Sequence, residues 1–520
     1  MALKYKLILA HLFLFAFIIS VSHCDENVPL VNGLNRSSFP SHFVFGAATS
    51  AYQIEGASNL RGKNIWDVFV SKHQDRISNH SDAFVAADSY HRYKEDVSLL
   101  SGLGFDAYRF SISWTRILPT GRISGGISAR GVRYYNALID DLISKGIQPF
   151  VTIFHFDLPQ KLEEEYKGFL SQKIVEDYAN YAELCFRLFG SKVKHWITLN
   201  EPWTYTTMGY AFGKFPPNRC SNREFGSPDT RCLYGNSGTE PYVVAHHLLL
   251  AHAAAVKIYR EKYQKIQGGQ IGISLVTQWF EPYDPNSQTD VDAANRSLAF
   301  MFGWYMDPLF RGAYPTEMVK YVDKDRLPTF NPQEAAMVKG SYDFIGLNYY
   351  TAQYSRDIPC DKSQKNYLTD SCVSLTYTKD GKPIGLQSGA GWLYIYPKGF
   401  YKILVHIKEK YNNPLIYVTE NGVCRDNEWD KPFDLQRVNY HQNHLTELRR
   451  AINDEKVKVK GYFVWSLMDN FEWLDGYFLN FGLIRVNYGN KSLKRSCKAS
   501  ARWFSNFLQK SGSPNAANVC

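Results

Sequence analysis

The sequence predicts an α/β fold: a single (β/α)8 TIM barrel with long βα loops. Three observations carry this expectation. Eight short, nearly continuous apolar runs recur along the chain, the character of parallel strands buried on both faces. Stretches of helical periodicity lie between them, so strand and helix signals alternate. The chain has 520 residues, 45% hydrophobic and 21% charged, which is ordinary for a globular protein. A bare barrel needs only about 250 residues, so the excess is assigned to loops after the strands.

The runs, in order, are residues 43–50, 107–113, 148–155, 195–201, 271–277, 342–349, 415–421 and 459–466. Each is rich in Val, Ile, Phe or Tyr and is about as long as a strand. Between them, residues 132–143, 174–189 and 241–263 space their apolar side chains by three and four, the helical repeat. No internal repeat or low-complexity linker divides the chain. The expected organisation is a leader over residues 1–24 and one domain over 25–520, with the barrel at about 37–508.

The leader reads as a secretory signal. Lys4 and Lys6 precede an apolar run at residues 7–21, and Ser22 and Cys24 are small residues suited to a cleavage site. The run is short for a bilayer span of roughly 20 residues, so no membrane attachment is expected once it is removed. The predicted destination is the secretory pathway, ending in the extracellular space or a vacuole. The net charge is +9, and loss of Lys4 and Lys6 leaves it near +7, with no basic block calling for nucleic acid. Among nine cysteines, Cys220 and Cys232 flank one polar loop, and Cys360 and Cys372 flank another. Both pairs read as disulfide staples. Cys185, within a helical pattern, reads as a buried free thiol, while Cys424, Cys497 and Cys520 have no assignable pairing. Asn35, Asn79, Asn295 and Asn490 each open an N-x-Ser sequon. The oligomeric state is left open.

Most runs end in a residue with chemical potential. Arg109 lies in the second, His155 ends the third, and Asn200 and Glu201 end the fourth. Asn348 lies near the end of the sixth, Glu420 of the seventh and Trp465 of the eighth. Asn and Glu often begin loops or cap helices, but seven such residues on one barrel face indicate a lined cavity. Strands four and seven lie opposite each other, so Glu201 and Glu420 face across the mouth. Two facing carboxyls are the minimal apparatus for glycoside hydrolysis. Arg109 and Tyr350 are candidate partners of Glu420, and a guanidinium keeps a carboxyl ionised for attack. Apolar surroundings near Trp203 would instead raise the pKa of Glu201, as a general acid requires. Gln53, His155, Asn200 and Glu472 can bind hydroxyls, and Trp465 and Trp473 offer flat faces to a sugar ring. His441 and His444 lack a carboxylate-rich partner set, no C-x-x-C occurs, no G-x-G-x-x-G follows a strand and no G-x-S-x-G elbow occurs. Metals and cofactors are therefore not expected.

The same residues lie in six ordered stretches. These are Phe45-Gly-Ala-Ala-Thr-Ser-Ala-Tyr-Gln-Ile-Glu-Gly, Tyr108-Arg-Phe-Ser-Ile-Ser-Trp, Thr198-Leu-Asn-Glu-Pro, Gly346-Leu-Asn-Tyr-Tyr-Thr, Thr419-Glu-Asn-Gly and Trp465-Ser-Leu-Met-Asp-Asn-Phe-Glu-Trp. In this the chain resembles glycoside hydrolase family 1, and most closely its plant β-glucosidases. The resemblance implies Glu201 as acid/base and Glu420 as nucleophile of a retaining, double-displacement hydrolase. Its substrates would be O-linked β-D-glucosides of a small aglycone or an oligosaccharide. It further implies a sugar pocket of Gln53, His155, Asn200, Asn348, Tyr350, Trp465, Glu472 and Trp473. Phe481 is added to that set, and Trp392 is placed at the aglycone entrance. Glu201 itself, where thioglucosidase members carry Gln, implies O-glucosides, and Glu472 implies an unphosphorylated sugar. Phe156 departs from the Trp usual after the sugar-binding His, and Asn480 from a common Arg. The alternatives to a glucoside hydrolase are a transglucosidase using the same covalent intermediate, a hydrolase of a non-sugar metabolite on the same two glutamates, and a non-catalytic carbohydrate-binding protein, which the two intact glutamates disfavour.

Overall fold

In the computed structural model, the structure describes residues 33–221, 232, 234–361, 363, 365–424 and 433–509. The leader, Cys24 and Cys520 lie outside these residues. Eight parallel strands close into a barrel. They are β1 (Val44–Ala48), β2 (Ala107–Ser111), β3 (Gln148–Phe154), β4 (His195–Asn200), β5 (Gln270–Pro282), β6 (Phe344–Asp357), β7 (Ile416–Asn421) and β8 (Val459–Trp465). Each pairs with its sequence neighbours. Closure is made by β8 on β1, where Gly46 faces Phe463. The chain is thus a (β/α)8 barrel.

Two strands run past the sequence-predicted runs. β5 and β6 continue as a ribbon to the pair Pro282 and Ser355, and the antiparallel strand Val373–Thr376 adds to the far end of β6. Polar residues such as Gln278, Glu281, Gln353 and Arg356 occupy this ribbon, so it breaks the continuous apolar character that marks the barrel itself.

The outer ring contains α1 (Ser89–Gly102), α2 (Ala129–Ser144), α3 (Lys173–Phe189), α4 (Glu240–Ile258), α5 (Trp304–Arg311), α6 (Pro397–Lys410), α7 (Leu435–Asn453) and α8 (Ala499–Phe507). α2 starts where the Ser128 hydroxyl accepts from Gly131 N at 3.2 Å. It buries Tyr134, Tyr135, Leu138, Ile139 and Leu142 on one stripe. α3 does the same with Tyr178, Tyr181, Leu184, Cys185 and Phe189. α4 is apolar nearly all round because it packs between α3 and the helix Pro332–Val338.

The barrel interior is divided by depth. Its lower part is filled by rings: Phe150 lies 4.7 Å from Phe463 and 5.2 Å from Tyr417, and Phe344 lies 5.1 Å from Tyr417. Glycines on neighbouring strands make room for them. A Cβ at Gly46 would meet Phe463 Cδ1 at 2.4 Å, and one at Gly461 would meet Tyr417 Cδ1 at 2.8 Å. Above this aromatic floor, at the C-terminal ends of the strands, the interior becomes polar.

Candidate active site

Both carboxylate-bearing strands carry an irregularity just before the carboxylate. On β4 the register against β5 slips between Ile197 and Asn200. On β7 the register against β8 slips between Val418 and Asn421. A bulge adds a residue and breaks the strict inside–outside alternation. Tyr417 points to the aromatic floor, and both Thr419 and Glu420 then face the interior. Glu201 follows the end of β4, has φ +40° and caps the helix Pro202–Tyr210, with Pro202 in its first turn. The left-handed backbone is sparsely populated by residues other than Gly, Asn and Asp. Phe156 (φ +73°) and Trp473 (φ +54°) share it, so three residues at this face hold left-handed backbones.

Glu420 and Glu201 are both buried but have different partners. Glu420 Oε1 is ion-paired with Arg109 Nη1, and its Oε2 accepts from the Tyr350 hydroxyl at 2.7 Å. Among the described residues Glu201 has only neutral hydrogen-bond partners. Its Oε1 accepts from Asn348 Nδ2 at 2.7 Å and its Oε2 from the Thr204 hydroxyl at 2.7 Å. Burial, followed by the charge of Glu420, pushes the Glu201 carboxyl up to about 7. Burial and Glu420 also push the Tyr350 phenol well above its ordinary value.

A hydrogen-bond chain joins the two carboxylates. Arg109 Nη2 donates to Asn200 Oδ1 at 2.6 Å, and Asn348 Nδ2 donates to the same oxygen at 3.2 Å. With Oδ1 so occupied, the Asn200 amide must donate its Nδ2 to His155 Nε2, 3.0 Å away. Burial and Arg109 hold the His155 pKa well below its ordinary value, so the ring is neutral and its proton sits on Nδ1. That buried Nδ1 has no partner among the described residues. Glu472 is similar: its Oε2 is buried without a partner among the described residues, Trp465 donates to the carboxyl, and burial raises its pKa well above normal. Unspent donors and acceptors of this kind suit a polar ligand.

The other expected residues lie around this centre. Gln53 is fully buried, donating to Asn470 Oδ1 and Phe471 O at 2.8 and 2.9 Å and accepting from Ser50 at 2.6 Å. The Trp473 ring packs 4.7 Å from Trp66, 5.3 Å from Phe156 and 6.1 Å from His155, whose ring also lies 6.0 Å from Trp465. Tyr350 meets exposed Trp392 at 5.9 Å and buried Phe481 at 6.2 Å. The residues not anticipated are Thr204, Thr419 and Ser274. Thr419 donates to Asn348 Oδ1 at 2.6 Å and accepts from Ser274 at 3.0 Å, fixing the Asn348 amide. Threonine at the end of an apolar run carries no chemical signal, whereas Thr204, three residues beyond Glu201 at a helix start, matches a local side-chain pairing distance.

Outside this centre, Cys220–Cys232 and Cys360–Cys372 are disulfides, and Cys497 is disulfide-bonded as well. Cys185 and Cys424 are free and buried. Asn79, Asn295 and Asn490 are exposed, the second within the helix Gln288–Leu298, while the half-buried Asn35 side chain caps a short helix. Among the described residues no group of three or more His, Cys, Asp or Glu could hold a metal ion, and no helix is long and apolar enough to cross a membrane.

Known proteins share this architecture across nearly the whole chain. The chain is 51% identical to β-glucosidase 12 of Oryza sativa subsp. japonica, over 92% of this chain and 94% of that one. It is 52% identical to the raucaffricine-O-β-D-glucosidase of Rauvolfia serpentina, over 92% of each. A crystal structure of a rice β-glucosidase superposes with a TM-score of 0.89 at 48% identity, covering 92% of this chain and all of that one. The model for glycosyl hydrolase family 1 matches residues 35–513, a span that contains both buried glutamates and every strand of the barrel. The chain belongs to glycosyl hydrolase family 1.

Proposed function

We propose that this glycoside hydrolase is a retaining β-glucosidase acting on O-linked β-D-glucosides with a small aglycone or an oligosaccharide leaving group. The observation that carries the reading is the asymmetry of the two glutamates. Glu420 is paired with a cation and a phenol, whereas Glu201 is buried among neutral donors with its pKa near 7. One is suited to attack as a carboxylate and the other to hold a proton near neutral pH.

In the first step Glu420 Oε attacks the anomeric carbon. The bond to the glycosidic oxygen breaks, and that oxygen takes the proton of Glu201. Formation of the ester removes the negative charge of Glu420, which had helped to raise the Glu201 pKa. Glu201 is then left as a carboxylate able to accept a proton from water. Water attacks the anomeric carbon, the ester bond breaks, and the sugar leaves with its original configuration. The His155 Nδ1 proton and the free Glu472 oxygen are a donor and an acceptor for sugar hydroxyls, and Trp465 and Trp473 supply the apolar face.

Relatives named as β-glucosidases support the glucoside substrate. A mutant of the similar rice enzyme forms a covalent complex with Glc, which supports the ester intermediate. The secretory reading is supported by the disulfides. Proton NMR of the first-formed sugar tests the mechanism: an aryl β-glucoside should yield β-glucose first. If α-glucose appears first, Glu420 activates water instead of attacking and the retaining reading is wrong.

A further inference from the structure

We infer that Thr204 is a positioning residue that makes Oε2 the proton-carrying oxygen of Glu201 and sets the pH up to which that proton is available. This rests on the reading of Glu201 as the acid.

The argument begins at the opposite oxygen. Ser274 donates to Thr419 and Thr419 donates to Asn348 Oδ1. The Asn348 amide therefore has one orientation, with Nδ2 toward Glu201 Oε1 at 2.7 Å. An amide nitrogen donates and cannot accept. The O–H oxygen of a protonated carboxyl accepts poorly, and an amide N–H cannot turn round to accept from it, whereas a hydroxyl does either. Oε1 is therefore the better bare oxygen and the proton rides on Oε2.

The one partner of Oε2 among the described residues is the Thr204 hydroxyl at 2.7 Å. Thr204 follows Glu201 by three residues, on the first turn of the helix that Glu201 caps. The Oε2 position is thus held by the same helix that fixes the strained Glu201 backbone. A hydroxyl suits this place better than an amide or a charge. Its O–H donates to the second lone pair of Oε2 and leaves the proton free to point at the leaving group. When that proton has gone, the same O–H stabilises the carboxylate. A hydrogen bond to the charged form lowers a carboxyl pKa, opposing the burial that raises it. Thr204 is half-buried, so substitution there does not open a deep cavity.

The test uses the full-length enzyme with three variants, Thr204→Val, Thr204→Ser and Glu201→Gln, and a series of aryl β-glucosides of graded leaving-group pKa. Thr204→Val keeps the shape and removes the hydroxyl. Its basic limb of kcat/KM should move up by about half to one pH unit. Its kcat/KM should fall most for the poorest leaving groups, because the Oε2 proton is no longer aimed, and the deficit should shrink as the leaving group improves. Thr204→Ser should restore both features. If Thr204→Val leaves the limb in place, or slows all leaving groups equally, the proposal is overturned and Thr204 only packs. Glu201→Gln separates the two readings. A Gln variant that retains the basic limb and shows no leaving-group dependence removes the acid assignment, and the Thr204 proposal falls with it. A Gln variant that behaves as an acid knockout, beside an unshifted Thr204→Val, overturns the Thr204 proposal alone.

Discussion

Arg109 does two jobs that only a guanidinium can combine. One terminal nitrogen pairs with Glu420 and reaches Thr419 O at 3.2 Å, while the other holds Asn200 at 2.6 Å. Through Asn200 it fixes which nitrogen of His155 carries the proton. Lysine offers a point charge without the fork. Arg109→Lys should therefore lower kcat/KM on an aryl β-glucoside by at least about 100-fold, which steady-state kinetics will show. Arg109→Met leaves a buried carboxylate without its cation and should cost about 3–5 kcal/mol of stability, read as a lowered unfolding midpoint. A change confined to KM in the lysine variant would reduce Arg109 to a sugar contact. The pairing with Glu420 was legible in the sequence because both residues lie on barrel strands. The link to His155 was not, since the direction of an amide depends on neighbours far apart in the chain.

At the scale of elements, the eight apolar runs correspond to β1–β8, and the periodic stretches at 132–143, 174–189 and 241–263 correspond to α2, α3 and α4 with its continuation. What escaped the sequence are features that do not repeat. The bulges before Glu201 and Glu420 involve single residues of ordinary strand type, so no periodicity announces them. The ribbon of β5 and β6 was cut short because its polar residues look like loop. The segment enclosed by Cys360 and Cys372 has a function in this ribbon region. Asp370 is held there by Arg326 and by Tyr242 at 2.6 Å, and Tyr367 accepts from the Trp203 indole at 2.8 Å. Trp203 is two residues from Glu201, so the staple lies one contact away from the loop that carries it. Its cysteines are 12 residues apart. Replacing both by Ser should cost about 2–3 kcal/mol by release of loop-closure entropy. Thermal unfolding of the double variant against the parent measures this, and an unchanged midpoint would mean the Asp370 and Tyr367 contacts hold the segment without the disulfide.

For the whole molecule, two populations of buried groups oppose each other as pH changes. Burial lowers His252 and His444 to about 3 and His195, His246 and His406 to about 4. In the unfolded chain histidine titrates near 6.5, so their contribution is complete above about pH 6.5 and is lost as pH falls toward 4 and 3. Burial raises Asp157, Glu163 and Glu201 to about 7 and Asp475 to about 6. Their folded forms keep protons that the unfolded chain has released, so their contribution is complete below about pH 4 and is lost as pH rises toward 7. Between about pH 4.5 and 6.5 the two slopes have opposite signs and similar numbers of groups. Calorimetry should find an unfolding temperature nearly flat across that window, with a fall between about pH 4 and 3, where His252 and His444 still lose stability and no raised carboxyl offsets them. A steep slope within the window would contradict the balance.

The aromatic floor of Phe150, Phe344, Tyr417 and Phe463 has a consequence for traffic. It makes the barrel a vessel with one mouth. Whatever reaches the two glutamates passes the rim where Trp392 stands exposed, and whatever is released leaves by the same door. Under the double displacement proposed above, the first departing fragment clears the doorway before water or another acceptor comes in. On that mechanism visits to the site are sequential, and a departing alcohol that lingers blocks the next arrival.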